Sequence, residues 1–251
     1  SSVQNISLSG LGVSQYYSTY SQRFYPYAIF AGSQDQGLQK SITYTDGIQD
    51  FVQIISGDYG HIVSGDNGIS VFTNYPGSTI HYPDIANSNS SMSLDFPGSG
   101  YLWIAPLMED PYNEDQVYLG GGGVNGGNHL LLLTANSSSI SYTELSYSFD
   151  AKVSAMSYSK VNPSIRYVST ETGSFYYSMN DGQTWNQSIN FNGPNAHYFY
   201  GSTIYTSPIE SNVVYVGGSG YSTADSPYSA EGLGYPLEDI GYSTAGARYF
   251  V

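Results

Sequence analysis

One short phrase recurs along the chain at an almost constant distance and limits the folds that the chain can adopt. An apolar run ends in an aromatic residue, which is followed by a small or aliphatic residue and usually by glycine. Consecutive copies lie 42 to 49 residues apart, and their aromatic residues are Phe30, Phe72, Tyr118, Tyr167 and Tyr215. A period of this size indicates equal units, each too small to bury a core alone.

Three of the copies also share the segment that precedes the aromatic residue. An alternating apolar segment leads to a proline in Asp110-Pro111, Asn162-Pro163 and Ser207-Pro208. Because proline fixes φ and has no backbone donor, it suits a turn between two strands. We therefore expect a strand before each proline, over 103–107, 153–157 and 202–206.

Units of this length have room for four short strands and are typical of β-propeller blades. Tandem immunoglobulin-like domains repeat at about 100 residues, and no segment has the helical periodicity that alternating β–α units need. The sequence predicts an all-β fold, a single propeller domain over 1–251 with about five four-stranded antiparallel blades, which can belong to a larger propeller. The expected blades span 12–55, 56–100, 101–150, 151–198 and 199–245.

Composition agrees with this fold and excludes several partners. The 27 tyrosines and 29 glycines favour strands and turns. Six basic residues against 20 acidic ones give a net charge of −14, so we expect no nucleic-acid binding and repulsion by anionic membranes. No apolar run approaches the roughly 20 residues of a membrane-spanning helix, so membrane insertion is not expected. The absence of cysteine excludes disulfides and thiolate metal sites.

The composition also suggests where the protein acts. An acidic, cysteine-free chain rich in Tyr, Ser and Asn is typical of an extracellular or cell-surface protein of a prokaryote. The chain starts at Ser1 without a methionine or a secretory apolar segment, so we expect a processed product or a fragment.

The fourth unit contains the most specific motif, the segment SMNDGQTW over 178–185. The Asn180 side chain can accept backbone bonds within a turn, Gly182 permits a positive φ, and Trp185 can pack on the blade. The segment resembles the Asp-box of bacterial-neuraminidase repeats at all five defining positions: Ser178, Asn180, Gly182, Thr184 and Trp185. The resemblance implies a structural hairpin of a propeller blade, away from any catalytic centre. Residues 64–68 fit the first half of a box, but Val71 replaces the tryptophan, so we expect a degenerate copy.

Two further phrases extend the resemblance over most of the chain, about 15–245. Ala31 to Gly37 and Ser56 to Gly60 look like the Gly-Thr-Gln-Asp-Asn-Gly and Gly-Gly-Asp-Gly-Gly phrases of secreted Asp-box propellers. The chain thus resembles the sialidase, sortilin and xyloglucanase-like group of β-propellers.

The resemblance to sialidases does not imply their activity. These enzymes bind the substrate carboxylate with three arginines from different blades, and this chain has only Arg23, Arg166 and Arg248. None lies in the Arg-Ile-Pro phrase of the family, and Arg166 lies in a repeated strand, where we expect an ordinary blade residue. Sialidase activity is therefore disfavoured.

Xyloglucanase-like hydrolysis needs two carboxylates across a cleft, about 6.5–9.5 Å apart for inversion of configuration. The candidate catalytic residues are Asp35 and Asp58, which lie in glycine-flanked loops. Aspartate beside glycine is also a common turn cap, and we favour that interpretation.

Neither a metal nor another cofactor is expected. The histidines have no metal-ligand spacing. Two acidic clusters have the oxygen ligands that Ca²⁺ prefers, but solvated loops explain them better: Glu109-Asp110 with Glu114-Asp115, and Glu238-Asp239. Residues 120–127 are rich in glycine but lack the lysine of a phosphate loop, so we expect a long flexible hairpin tip.

Exposed tyrosine among Asn and Ser offers rigid, amphipathic area for stacking on sugars or for a protein interface. We therefore expect a secreted or cell-surface, non-catalytic binding or assembly module with a polysaccharide or protein partner. Two alternatives remain open: a glycoside hydrolase fragment that uses Asp35 and Asp58, and a self-assembling structural subunit of an extracellular filament or sheath.

Overall fold

Strands account for all the regular secondary structure that the computed structural model of the protein describes. The described residues are 14–42, 50–196, 201–218, 228–229, 232–233 and 247–250. Within these ranges there is no helix, and hence none long and apolar enough to cross a membrane.

The strands form successive antiparallel sheets. The first consists of β1 to β4 (Tyr16–Ser21, Ile29–Ser33, Gly37–Ser41, Phe51–Ile55), and the second of β5 to β8 (Ile62–Val63, Val71–Tyr75, Ser78–Tyr82, Met92–Asp95). The third consists of β9 to β12 (Leu107–Glu109, Gln116–Gly120, Leu130–Ala135, Ile140–Glu144), and the fourth of β13 to β16 (Val153–Tyr158, Arg166–Thr170, Ser174–Ser178, Asn186–Asn192). Each sheet has its strands in chain order.

The fifth sheet has three strands in the described part of the chain. It consists of β17 (Ser202–Thr206), β18 (Val213–Gly218) and, further along the chain, β21 (Ala247–Phe250), which pairs Val213 with Phe250. A separate two-stranded sheet contains β19 (Tyr228–Ser229) and β20 (Gly232–Leu233). The first strands of the five main sheets contact each other in sequence, β1 with β5, β5 with β9, β9 with β13 and β13 with β17. The fold is therefore an all-β propeller, as the sequence predicts.

The recurring aromatic residue occupies the second strand of every main sheet. Phe30, Phe72, Tyr118 and Tyr167 are buried in β2, β6, β10 and β14, where they pack between neighbouring blades. Tyr215 differs, because 40% of it is exposed on β18. The repeat length in the sequence is therefore the number of residues between the second strands of successive blades.

Two of the three proline turns are stabilised by the side chain directly before the proline. Asp110 Oδ1 accepts bonds from the backbone amides of Tyr112 and Asn113, and Ser207 Oγ caps the equivalent turn of the fifth sheet. The strand expected over 103–107 is wrong, because β9 begins only at Leu107. Pro106 directly precedes it, and a proline cannot donate to a sheet ladder.

A buried histidine lies in the interface between the second and third blades. The His81 ring stacks on Phe72 with centroids 4.2 Å apart, and neither ring nitrogen has a hydrogen-bond partner among the described residues. Burial lowers the pKa of His81, although the carboxylates of Asp115 and Asp66 act in the opposite direction. The folded protein therefore favours the neutral imidazole.

We expect acidification to remove a stabilising contribution of His81. Above a pH of about 6.5 the imidazole is neutral in both the folded and the unfolded chain. Below this pH the unfolded chain binds a proton at His81 that the folded chain does not. In His81→Phe, which keeps a ring on Phe72, the free energy of unfolding relative to the native chain should rise as the pH falls, by at most about 1.4 kcal/mol per pH unit. His61, whose pKa burial lowers to about 4, is common to both proteins.

Urea unfolding of both proteins between about pH 7 and pH 5 measures this difference. Parallel pH dependences would show that His81 is not responsible.

Candidate functional site

An open groove with a volume of about 710 Å³ lies at one end of the propeller. It is lined by the turn between β6 and β7, the connection from β8 to β9, the residue before β13 and the turn after β14. Because antiparallel strands alternate in direction, the turns between second and third strands and the connections between blades share this end, which we call the groove end. The turns between third and fourth strands lie at the opposite end, the box end.

Four aromatic side chains line the groove: Tyr75, Phe96, Tyr101 and Trp103. Tyr75 ends β6 and is 41% exposed, and Trp103 is 47% exposed in the irregular segment before Pro106. Exposed aromatic side chains around a groove are a common feature of ligand-binding sites. Sequence reasoning did not select these residues for a site, although Trp103 is one of only two tryptophans.

Lys152 and Glu171 supply the charges of the groove. They come from the segment before β13 and the turn after β14, and the Glu171 amide donates to the Lys152 carbonyl at 2.8 Å. Both side chains are half-buried. The groove thus combines aromatic area with one cationic donor group and one anionic acceptor group.

Tyr101 is held from the side by the glycine-rich loop between β10 and β11. Its hydroxyl donates to the Pro97 carbonyl at 2.6 Å, and its ring lies 4.6 Å from Phe96. Ser99 and Gly123 exchange two backbone hydrogen bonds, which join the loop to the groove segment. The flexible hairpin tip expected over 120–127 is therefore wrong for Gly121 to Gly123, which are buried by this packing.

We expect Gly122→Ala to displace the Tyr101 ring. A Cβ at position 122 would lie 2.2 Å from Tyr101 Cζ, whereas a Cβ at Gly126 would meet nothing within 4 Å. Both glycines have positive φ, 82° and 89°, so backbone strain is similar and only the clash differs. Gly122→Ala should therefore reduce the free energy of unfolding by about 1–3 kcal/mol more than Gly126→Ala in urea titrations.

A Tyr101→Ala background is the control for this comparison. There the two alanine variants should become equal, and a persisting difference would show that Gly122 does not act through the tyrosine ring.

Asp35 and Asp58 come together at the groove end, in the turn after β2 and the connection after β4. The Asp35 amide donates to Asp58 Oδ1 at 2.8 Å, and Asp35 has a φ of 60°. Asp58 thus caps the turn that contains Asp35. The preceding Gly57 approaches the ring of Tyr75 so closely that a Cβ would lie 2.7 Å from it, which places this loop beside the groove.

The segment 178–185 forms the turn between β15 and β16 at the box end. Ser178 Oγ accepts bonds from the amides of Asn180 and Gly182, at 3.2 and 2.9 Å. Asn180 Oδ1 accepts bonds from the amide and hydroxyl of Thr184, at 3.0 and 3.1 Å. Trp185 packs against Phe149 in the core between the third and fourth blades.

A second turn, between β5 and β6, repeats part of this bonding. Ser64 Oγ accepts a bond from the Gly68 amide at 2.7 Å, and both Asp66 oxygens accept from the Ser70 amide. The degenerate copy expected here thus keeps the bonds to the Gly68 and Ser70 amides, and Val71 is buried in place of the tryptophan. This turn also lies at the box end, but it joins first and second strands.

Arg166 links the third and fourth blades at the box end. It is only 3% exposed, and its Nη2 lies 3.9 Å from Asp110 Oδ2 and 3.7 Å from Asp181 Oδ1. Tyr118 donates to Asp110 Oδ2 at 2.7 Å, and burial, together with this bond, raises the pKa of Tyr118 to about 12. The expectation of an ordinary blade residue is therefore wrong for Arg166.

The acidic cluster is a solvated loop only in its second half, because Glu114 and Asp115 are exposed whereas Glu109 and Asp110 are packed against other side chains. Glu109 Oε1 accepts bonds from the Tyr158 hydroxyl and from Lys160, at 3.0 and 2.9 Å, while Asp110 is buried. No group of three or more acidic, histidine or cysteine side chains suited to a metal occurs among the described residues. Glu238 and Asp239 lie outside them.

Comparisons with known proteins support the fold. No protein-family model matches the chain, and no curated protein does. The β-propeller domain of Myceliophteria thermophila Cps50 (Swd1) superposes with a TM-score of 0.54 at 9% identity, over 79% of this chain and 61% of that one. An ancestral GH74 enzyme gives a TM-score of 0.53 at 16% identity, over 81% of this chain and 27% of that one. The chain thus spans less than two thirds of either, and the likeness shows a β-propeller.

Proposed function

We propose that the chain is a non-catalytic, secreted or cell-surface glycan-binding module and that the groove is its binding site. The exposed rings of Trp103 and Tyr75 in a concave site carry the proposal. Aromatic rings present apolar faces on which a sugar ring can stack. Lys152 and Glu171 add a donor and an acceptor that can orient the ligand.

Replacing Trp103 with alanine tests the proposal. We expect affinity for the best ligand of a glycan panel, measured by isothermal titration calorimetry, to fall at least about tenfold, because truncation of a central aromatic contact has a large effect. Tyr205→Ala removes a tyrosine that is 62% exposed on β17 and does not line the groove, so its affinity should be unchanged. Equal affinities of the native chain and Trp103→Ala would contradict the proposal.

Hydrolysis by Asp35 and Asp58 is a second candidate function, favoured by their position beside the groove. Asp58 accepts a bond from the Asp35 amide, which equally suits a structural turn. The variants Asp35→Asn and Asp58→Asn separate the two functions when the native chain and the variants are incubated with the bound glycan. Cleavage that both substitutions abolish would establish an enzyme; an uncleaved ligand supports a binding module.

Self-assembly through a blade edge is the third candidate. The outer strand β4 has no charged residue, and its Phe51, Val52 and Ile55 are exposed. Exposed apolar edge strands are pairing sites for further strands. Size-exclusion chromatography over a range of concentrations tests this, and a monomer at all of them would count against assembly.

A further inference from the structure

The charges that line the groove cancel each other. Lys152 precedes β13, Glu171 follows β14, and the bond between the Glu171 amide and the Lys152 carbonyl holds these two segments together. The ion pairs formed by the described residues use Lys160 and Arg166 instead. The groove therefore offers a ligand one ammonium group and one carboxylate group.

The basic side chains in the described part of the chain give no support for an acidic ligand at the groove. Among the described side chains that line the groove, Lys152 is the only basic one. Lys160 and Arg166 lie at the box end against carboxylates, and Lys40 donates to two backbone carbonyls. Arg23 is exposed in the turn between β1 and β2, which also lies at the box end. Because the whole chain carries a charge of −14, a uronate or sulfate polymer would approach a repulsive field with one ammonium to bind it.

An uncharged sugar matches the groups that are present. A sugar hydroxyl both donates and accepts, whereas an ammonium group only donates and an ionised carboxylate only accepts. Neighbouring hydroxyls of one sugar ring can therefore bind Lys152 and Glu171 while the apolar face of the ring stacks on Trp103. A basic peptide would meet the ammonium of Lys152 as well as the one carboxylate of the groove, that of Glu171. It therefore matches the groove less well.

On the basis of the proposed glycan-binding function, we infer that the ligand of the groove is an uncharged saccharide. The ammonium of Lys152 donates to one ring hydroxyl, the carboxylate of Glu171 accepts from another, and Trp103 and Tyr75 supply the stacking surfaces. Acidic saccharides of the same linkage are rejected.

Matched pairs of oligosaccharides test the inference with the intact chain. Cellohexaose is paired with the β-1,4-glucuronate hexamer and mannohexaose with the β-1,4-mannuronate hexamer, within a wider glycan panel measured by calorimetry. We expect the neutral ligands to bind and the affinity for their acidic counterparts to be at least about tenfold lower. Tighter binding of acidic glycans would overturn the inference and leave the proposed function intact. No binding by any glycan would overturn both.

Variants of the charged pair test the assigned contacts. Lys152→Met and Glu171→Gln should each lower the affinity for the neutral ligand by about tenfold or more, because each removes a charge-assisted hydrogen bond. Lys160→Met, at the box end, is the matched control and should bind normally. If Lys152→Met weakened acidic ligands alone, the groove would be an anion site and the inference would be wrong.

Discussion

Replacing Arg166 with methionine should lower the free energy of unfolding by about 3–5 kcal/mol. The guanidinium lies between Asp110 of the third blade and Asp181 of the fourth, 3.9 and 3.7 Å from their carboxylate oxygens. It also stacks over the Tyr118 ring at 4.8 Å. Methionine can fill much of the space, but it leaves the buried Asp110 carboxylate without its cation, and an unpaired buried charge is strongly destabilising.

Lys160→Met provides the matched control for Arg166. Lys160 pairs with Glu109 at the same end of the same two blades, at 2.9 Å, but about half of its side chain is exposed. Exposed ion pairs contribute about 0–1 kcal/mol, so this variant should unfold almost like the native chain in urea. Similar losses in the two variants would contradict the role given to Arg166.

Trp185→Ala should destabilise the fold by about 3–5 kcal/mol. Trp185 is 9% exposed, and its ring centroid lies 5.3 Å from that of Phe149 in an edge-on arrangement. Phe149 in turn packs on Tyr176 at 5.1 Å. Removing the indole leaves a cavity in the core that joins the third and fourth blades, and its walls are rings that cannot collapse without losing each other's contacts.

Ile189→Ala is the control for Trp185, because Ile189 lies on the following strand, β16, and is 93% exposed. Its free energy of unfolding should stay within about 0.5 kcal/mol of the native value. A loss of less than about 1 kcal/mol in Trp185→Ala would show that the aromatic cluster does not hold these blades together.

The features that the sequence could predict are those set by local chemistry. The recurring aromatic residue marks the second strand because an apolar strand must bury one face against the next blade. Asp110-Pro111 predicts a turn because the Asp110 side chain and the Pro111 ring both act on residues that are close in the sequence. Likewise, Asn180 accepts a bond from the Thr184 amide and Gly182 has a positive φ, both within a single hairpin.

The groove could not be predicted because its parts are distant in the chain. Tyr75, Trp103, Lys152 and Glu171 come from four connections, and only the propeller brings these to one end. The burial of Arg166 depends on Asp110 of the neighbouring blade in the same way. The Ser64 turn lacks the tryptophan of the motif and still forms, because Ser64 and Asp66 accept its backbone bonds.

A crystal structure of the protein soaked with the tightest-binding neutral oligosaccharide tests the central claim most directly. We predict electron density for a sugar ring stacked on Trp103 or Tyr75, with hydroxyl groups within hydrogen-bond distance of Lys152 Nζ and the Glu171 carboxylate. A ligand bound elsewhere on the propeller, with the groove holding only solvent, would contradict the account.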